Sequence, residues 1–488
     1  MKAKLKSILR FLGNFIASII ILGIVFMFYR GCEARKMLPL QTWHKSNVAK
    51  ETLMEKQYES FAEYLAAERK FLDKVYGEIK PADDVVYSRY RKGDISSPIR
   101  GGVNYNASFH VFPPDSVEKK GGVMLVHGLT DSPYHMRAVA DVFARNGYYV
   151  ACLRLPGHGT IPKALADVTW QEWYDAVKFS ADIVQKSVKA IEGGEFFIGG
   201  FSTGGALTLR YVLDGVLNDT HTLPNKLFLF SPAIGVDLFA EAADWHQFIS
   251  WIPGFEQFRW LEIKPEYDPF KYNSFPKNAG DQIFDLTKAN SDLVEKLLSD
   301  ETKVEQLPPI YAFQSLVDAT VKTDQVIELF AKIASQESEL VLFDVNRTLE
   351  SFMKPEIRAL QPTSPLQKEG FKARLIVMLN EKPNEQSNYL DTTGFFKAYK
   401  RAPGDNIFLE KMYEDTTFTW PDNVFALSHV SIPISPQDYF YGEESILGNI
   451  VSRGESGVLL VDSAELSRIR YNPFFFIVEK RIEAVVQN

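Results

Sequence analysis

A glycine-rich turn around one serine is the part of this sequence best suited to chemistry. Residues 196–207 read F-F-I-G-G-F-S-T-G-G-A-L, an apolar strand followed by G-x-S-x-G and by residues that favour a helix. In a sharp strand-to-helix turn, glycines two positions before and after Ser202 leave room for the crowded backbones. The five-residue pattern alone is common by chance, so the flanking strand and helix carry the interpretation. We therefore take the Ser202 hydroxyl as a candidate nucleophile.

Two further segments supply the groups that a serine nucleophile needs. A predicted strand leads to Asp318, and an apolar run leads to His429. A serine hydroxyl is a poor nucleophile at neutral pH, so Ser202 needs a base, for which His429 is the candidate. Asp318 would hold the imidazole in one tautomer and stabilise the imidazolium that forms.

Three motifs and the order of these residues resemble one family. The motifs are H-G-L-T-D-S-P at residues 127–133, L-P-G-H-G at 155–159 and G-F-S-T-G-G at 200–205. The chain order serine, aspartate, histidine is that of the α/β-hydrolases. The sequence resembles this superfamily over roughly residues 100–330, and within it the bacterial monoacylglycerol lipases and carboxylesterases.

The resemblance implies a fold and further site residues. The expected fold class is α/β, with a mostly parallel central sheet, helices on both faces and a lid insertion. The backbone N–H groups of Leu129 and Thr203 would stabilise the oxyanion. Aromatic residues crowd the stretch 239–275, where the family inserts its lid, and three of them are candidates to line the substrate pocket: Trp245, Phe248 and Trp251. The same aromatics could instead form the small core of the lid itself.

The acid and the base both have rivals in the sequence. For the acid these are Asp237, Asp324 and Asp344; only Asp318 combines a strand end with the family's Asp-x-x-Val. Of the eight histidines, His429 alone lies on the carboxyl side of Asp318. His127 and His158 belong to motif loops that precede the serine, and we expect them to shape those loops.

Strands and helices alternate from Val123 to Phe230, which predicts a parallel sheet with helices on both faces. Residues 102–113 predict an opening strand, and 340–345 a strand that completes the sheet. In compact relatives the histidine follows that last strand almost at once, whereas about eighty residues intervene here. A closing helix is expected at 472–479.

Composition excludes several classes of protein. The 488 residues carry a net charge of −8, which argues against nucleic acid as a partner. Two cysteines form no disulfide framework. The sequence lacks metal-binding and dinucleotide motifs, so we expect neither a metal nor another cofactor.

The N-terminus predicts a membrane anchor. The 19 residues from Phe11 to Tyr29 include only two polar residues, Asn14 and Ser18, and would span about 28 Å as a helix. Cleavage as a signal peptide is the alternative. The flanking basic residues mildly favour a cytoplasmic N-terminus and an exported catalytic domain. The expected location is the bacterial inner membrane, with the catalytic domain on its extracytoplasmic side. A predicted helix from Ser46 to Tyr76 either pairs with a second chain or packs on its own domain.

These observations divide the chain and suggest an activity. The expected parts are an anchor (1–36), a helical segment (37–84), the hydrolase core (85–235 and 306–346), a lid (236–305), an insertion (347–420) and the histidine loop with a closing helix (421–488). The expected activity is that of a membrane-anchored serine hydrolase cleaving carboxylic esters with an apolar acyl group, lipid-derived esters above all. Acyl transfer, thioester cleavage and a catalytically inactive binding module remain alternatives. Acyl length and oligomeric state stay open.

Overall fold

The computed structural model describes residues 10–235, 256–380, 393–401, 407–412 and 418–487, except residues 20, 24, 26–36, 57, 83–84, 86–87, 446, 451–457 and 460. Its strands, in chain order, are β1 Ile99–Arg100, β2 Val103–Asn104, β3 Phe109–Val111, β4 Gly121–Val126, β5 Tyr148–Leu153, β6 Glu195–Phe201, β7 Lys226–Phe230, β8 Trp260–Glu262, β9 Phe275–Pro276, β10 Ile310–Ser315, β11 Glu339–Phe343, β12 Arg374–Asn380, β13 Thr393–Arg401, β14 Ile407–Met412 and β15 Phe418–Thr419.

The α-helices are α1 Phe61–Glu78, α2 Arg137–Arg145, α3 Pro162–Leu165, α4 Trp170–Val188, α5 Thr203–Asn218, α6 Lys277–Leu298, α7 Glu301–Val304, α8 Thr323–Ile333, α9 Pro355–Ala359, α10 Ser463–Leu466 and α11 Phe475–Val486. Short 3₁₀ turns lie at Thr42–His44, Leu53–Glu55, Pro133–Met136, Glu256–Arg259, Arg347–Phe352, Ser364–Gln367 and His429–Ser431.

One large sheet organises the described chain, in the order β14-β13-β12-β11-β10-β7-β6-β4-β5-β3, with β15 paired to β13. The strands from β5 to β12 in that order run parallel, and β3, β13, β14 and β15 run antiparallel to their neighbours. The carboxyl ends of the parallel strands therefore meet at one edge, where loops can gather a site.

The sheet is covered on both faces because its central strands are apolar throughout. In β4, Met124 and Val126 pack into the cluster that contains α4, α5 and α6, whereas Val123 and Leu125 pack with α2 and α11. This alternation is what a strand buried on both faces requires. The α/β fold with helices on both faces follows directly from the sequence pattern.

The sheet does not end where the sequence suggested. The strand predicted at 340–345 pairs with β12 on its far side, and β13 and β14 extend the sheet further. The expectation that this strand completes the sheet is therefore wrong. Residues 347–420 supply the extra strands: β12 lies parallel to β11, with Arg374 opposite Glu339, and β13 and β14 follow it as antiparallel neighbours. Strand propensity depends on the neighbours against which a strand packs, so the local pattern did not place the edge of the sheet.

The predicted opening strand at 102–113 is broken into short pieces. Gly101 and Gly102 adopt φ of +56° and +80°, which ends β1 and turns the chain into β2. Only β3 joins the large sheet, antiparallel to β5.

The amphipathic N-terminal helix starts later than the apolar spacing indicated and packs on the core. Ser60 caps α1 by accepting a hydrogen bond from the Glu63 N–H at 3.2 Å. On the buried face, Glu68 accepts a 2.8 Å hydrogen bond from Nε of Arg154, and both side chains are fully buried. The Arg154 guanidinium also pairs with Glu51 at 2.6 Å. Glu68 is the one charged residue on the otherwise apolar buried face of α1, and its ion pair joins the helix to the core.

The segment predicted as a membrane anchor is only partly described. Residues 10–19 are helical, and residues 26–29 lie outside the described chain. Among the residues that are described, none of the helices has the length and apolar character needed to cross a bilayer.

Candidate active site

Ser202 occupies a strained turn between β6 and α5. β6 ends at Phe201 and α5 begins at Thr203, so a single residue makes the connection. The backbone of Ser202 has φ 53° and ψ −116°, a region that residues other than glycine rarely adopt. Its N–H donates to the Phe230 carbonyl at 3.0 Å, and its own carbonyl accepts from the Ala233 N–H at 3.0 Å. These two hydrogen bonds stabilise the strained backbone conformation of Ser202.

The glycines around Ser202 are required by close backbone contacts. A Cβ at Gly204 would lie 2.2 Å from the Val126 carbonyl oxygen, and a Cβ at Gly200 would lie 2.2 Å from the carbonyl of Gly204. Neither clash can be relieved by a flexible side chain. The G-x-S-x-G spacing is therefore a steric condition for packing β4, β6 and α5 together.

Asp318 and His429 meet across the ends of distant segments. Nδ1 of His429 lies 2.8 Å from Oδ2 of Asp318. The other carboxylate oxygen accepts backbone N–H bonds from Thr320 at 2.8 Å and Val321 at 3.0 Å, so the Asp318 side chain is fixed within its own turn. Because an ionised carboxylate can only accept a hydrogen bond, Nδ1 of His429 carries the proton and donates the hydrogen bond, and Nε2 is left to accept a proton.

The environment keeps Asp318 ionised. Burial by itself would raise the pKa of this carboxyl. The charge and hydrogen bond of His429, together with the two backbone N–H bonds, outweigh burial and hold the pKa below its usual value. An ionised carboxylate is the form that can stabilise an imidazolium.

His429 also lies beside the serine turn. The centroid of its ring is 5.1 Å from that of Phe201, the residue before Ser202. Both His429 and Ser202 are buried, with exposed fractions of 4% and 8%. The structure thus places Asp318 in contact with His429, and His429 next to the turn that carries Ser202, at the carboxyl edge of the sheet.

The two predicted oxyanion donors occupy the expected elements. Thr203 is the first residue of α5, so its N–H has no acceptor one turn earlier in the helix. Leu129 lies in the loop after β4, next to Thr130, whose φ of 65° gives the loop its sharp bend.

His127 shapes this loop. Its Nδ1 donates to the Gly128 carbonyl at 2.8 Å, and its Nε2 accepts from the Leu155 N–H at 3.1 Å. Burial, reinforced by the neighbouring His158, lowers the pKa of His127 well below its usual value, so the ring is neutral. A neutral ring that uses both nitrogens has a structural role.

Of the other rivals, Asp344 and His158 are engaged elsewhere. Asp344 forms a two-point ion pair with Arg347 at 2.8 and 2.7 Å. Burial lowers the pKa of His158 to about 4, and its Nδ1 bonds to the Pro156 carbonyl. Asp324 is exposed. Asp237 lies outside the described residues, as do Trp245, Phe248 and Trp251.

Several contacts around the site were not predicted. Tyr272 belongs to the aromatic stretch assigned to the lid, yet its N–H donates to the Thr130 carbonyl at 2.9 Å. Lys271 approaches the buried Asp131 at 3.3 Å in the same loop. The Ser315 hydroxyl donates to the Leu427 carbonyl at 2.9 Å. Nothing in the sequence signals these contacts, because each joins residues that are distant along the chain. Among the described residues, no cluster of side chains could hold a metal ion.

Comparison with known proteins gives one family and several relatives. Residues 117–345 match the family described as serine aminopeptidase, S33. A thermostable monoacylglycerol lipase of Bacillus sp. (strain H-257) is 38% identical over 88 residues, which are 18% of this chain and 33% of the lipase. The chain is therefore matched to only a third of that relative's length.

Two solved structures are also similar. A structure reported under the names of two metagenome-derived lipolytic enzymes, LipS and LipT, shares 23% identity at a TM-score of 0.38, over 50% of this chain and 89% of its own. A soluble variant of monoglyceride lipase from Saccharomyces cerevisiae shares 16% identity at a TM-score of 0.36, over 48% of this chain and 81% of its own. The sheet order, the serine turn and the family match over residues 117–345 together show an α/β-hydrolase fold, and the chain resembles the monoacylglycerol lipases.

Proposed function

We propose that this protein is a serine hydrolase that cleaves carboxylic esters with an apolar acyl group. The observation that carries the proposal is the 2.8 Å contact between Asp318 and His429, beside the strained turn of Ser202. A carboxylate, an imidazole and a serine hydroxyl in this arrangement are the parts of a catalytic triad.

The chemistry follows from the proton positions. Nε2 of His429 takes the Ser202 proton as Oγ attacks the ester carbonyl, and Asp318 stabilises the resulting imidazolium. The N–H groups of Leu129 and Thr203 bind the oxyanion, and each such donor lowers the barrier by about 3 kcal/mol. The imidazolium then protonates the leaving alcohol. Water, deprotonated by His429, hydrolyses the acyl-enzyme and restores Ser202.

Lipid-derived esters are the proposed substrates. The relative that is 38% identical over 88 residues is named a monoacylglycerol lipase. The N-terminal segment offers a second reason: Phe11, Phe15 and Leu22 are helical residues that leave 58–72% of their surface exposed. We propose that this apolar segment anchors the chain in a membrane, with the catalytic domain on the extracytoplasmic side, which would hold the site near its substrate.

The test is labelling of the full-length protein with a fluorophosphonate, which reacts with activated serines. We expect an adduct on Ser202, and Ser202→Ala should lose the adduct and on the order of 10⁶-fold in kcat. Ser299→Ala, at an exposed serine, is the matched control. p-Nitrophenyl esters from two to sixteen carbons then give the acyl preference. The matched family is described as an aminopeptidase, so aminoacyl p-nitroanilides belong in the same assay. No adduct in folded protein would contradict the proposal.

A further inference from the structure

A large cavity lies apart from the serine, histidine and aspartate. Its volume is about 1300 Å³, above the range of roughly 300–1,000 Å³ usual for small-molecule sites. Four segments line it, within residues 38–44, 85–100, 263–267 and 436–466. Of these, only 263–267 falls inside the stretch 117–345 that matches the family. The cavity is therefore built mainly from parts that this chain adds to the hydrolase core.

The wall of the cavity is mostly apolar. Its aliphatic and aromatic members include Leu38, Ile95, Ile263, Phe440, Leu447 and Leu459. Ile95 and Leu459 are 58% and 54% exposed, although apolar side chains of this size gain about 1.5–3 kcal/mol from full burial. A long apolar chain lying in the cavity would cover them.

One cation of the wall lacks a carboxylate partner. Lys264 pairs with Glu262 at 2.9 Å and also with Glu465, and Glu266 lies 3.6 Å from Arg89. Arg100 makes no ion pair with any described residue. Its Nη2 donates to the Ile95 carbonyl at 2.9 Å, and its buried Nε has no hydrogen-bond partner.

Aromatic rings hold the Arg100 guanidinium in place at the wall. It lies 5.7 Å from the ring centroid of Tyr439 and 5.2 Å from that of Phe440. A guanidinium fixed in this way presents a planar set of donors that suits a phosphate group.

The remaining free charges are acidic. Asp438 is already bound, because its carboxylate accepts from the Tyr134 hydroxyl and from the N–H groups of Phe440 and Tyr441. Glu443 and Glu444 line the cavity, are exposed, and have no cation partner among the described residues. A head group with both a phosphate and an ammonium therefore matches the wall better than a fatty-acid carboxylate.

We propose that this cavity binds a phospholipid with a zwitterionic head group. The acyl chain lies along the apolar wall, the phosphate binds Arg100, and the ammonium faces Glu443 and Glu444. Leu38 lies nine residues after Tyr29, and nine extended residues reach roughly 30 Å. Delivery of a lipid from the membrane to the cavity rests on the membrane anchor put forward in the proposed function. Binding itself requires no catalysis.

The test is photo-crosslinking of the full-length Ser202→Ala protein in membranes. The probe is a 16-carbon lysophosphatidylethanolamine with a diazirine near the end of its acyl chain. The Ser202→Ala variant should not hydrolyse the ester bond of this probe. We expect adducts on peptides containing residues 263–267 or 436–445. Introducing Leu459→Asp into the Ser202→Ala protein should lower this labelling about tenfold, because the substitution places a charge in the apolar wall. Leu261→Asp is the matched control, since Leu261 is 49% exposed and does not line the cavity.

A second variant tests the head group. Arg100→Gln should weaken labelling by the phospholipid probe and leave labelling by an uncharged monoacylglycerol probe unchanged. Adducts confined to the loop 127–133 and Ser202, equal losses in both leucine variants, or no adduct at all would overturn the inference. An active esterase without cavity adducts would refute the lipid site alone. Cavity adducts on a protein without esterase activity would refute the proposed function alone.

Discussion

The serine turn and the histidine loop lie side by side but are specified in opposite ways. Ser202 is positioned by its own neighbours, with glycines at 200 and 204 that let β6 and α5 pack closely. His429 lies 111 residues from Asp318, and no local pattern holds it there. One half of the proposed site is therefore encoded in a short motif, whereas the other half depends on how the whole chain folds.

Three polar contacts hold the histidine loop. The Ser315 hydroxyl donates to the Leu427 carbonyl at 2.9 Å, and the Ser428 hydroxyl donates to the Ile469 carbonyl at 2.6 Å. The N–H of Asn346 donates to the Phe425 carbonyl at 2.7 Å. The loop is thus fixed from the ends of β10 and β11 and from the C-terminal region. This explains how an insertion of about eighty residues can precede the histidine without displacing it.

The largest expected effect comes from removing the base. His429→Ala should lower kcat on the order of 10⁶-fold and abolish fluorophosphonate labelling of Ser202, because the hydroxyl loses its proton acceptor. Single-turnover kinetics with p-nitrophenyl butyrate measure this loss. His110→Ala is the control, since His110 is half-buried on β3 and takes no part in the site. Retention of more than about one per cent of the activity would place the base elsewhere.

The second effect comes from the acid. Asp318→Asn should lower kcat about 10⁴-fold, because an amide favours the wrong imidazole tautomer while keeping the shape of the side chain. Steady-state kinetics compare it with Asp324→Asn, at an exposed aspartate on α8, which should be fully active. An active Asp318→Asn enzyme would reopen the choice of acid.

Comparison of wild type with Asp318→Asn also tests how stability depends on pH. The pKa of Asp318 is lowered in the folded protein, so ionisation of this group favours folding. That contribution is fully present above the unfolded pKa of about 4 and is lost as the pH falls through the lower folded value. The difference in unfolding free energy between wild type and Asp318→Asn should therefore shrink below about pH 4. Denaturant titrations at several pH values measure it, and a difference that grows in acid would contradict the assignment.

The third effect tests the serine turn. Gly204→Ala places a methyl group 2.2 Å from the Val126 carbonyl oxygen. We expect a loss of about 3 kcal/mol in unfolding free energy and about 10²-fold in kcat, because the turn must shift. Gly77→Ala is the control: nothing lies within 4 Å of its Cβ, and alanine favours the helix by up to about 1 kcal/mol. Equal stability of the two variants would show that the turn is not sterically constrained.

The smallest effect tests the contacts of the histidine loop. Ser428→Ala removes the bond to the Ile469 carbonyl and should cost about 1 kcal/mol of stability with a several-fold loss in kcat. Thermal unfolding and kinetics together measure both. Ser467→Ala, at an exposed serine whose hydroxyl bond is 3.4 Å long, should change neither. If Ser428→Ala is as active as wild type, other contacts suffice to hold the loop.

The contrast between the two regions also explains which parts of the fold could be predicted. The alternating core could be predicted because each strand and helix has a local signature; the apolar strand before Ser202 and the helix after it form as β6 and α5. The positions of Ser202 and Asp318 at strand ends could be predicted for the same reason. The place of β12, β13 and β14 in the sheet was not predicted, because the local pattern of a strand does not show which neighbour it pairs with; β12 pairs with β11 across residues 344–373. The role of Glu68 could not be predicted either. It is a lone charge on an otherwise apolar helix face, and only its ion pair with Arg154 explains its presence there.

That buried pairing has a practical consequence for making a soluble version of the protein. Deleting residues 1–36 would remove the proposed membrane segment and leave Glu51, Glu68 and Arg154 together. Deleting through residue 84 would leave the Arg154 guanidinium inside the domain without a counter-ion, a defect that typically costs about 3–5 kcal/mol. Truncation should therefore stop upstream of Glu51. In the full-length protein, only the short segment before Glu51 would connect the catalytic domain to the proposed membrane segment, because the helix that follows packs on the domain.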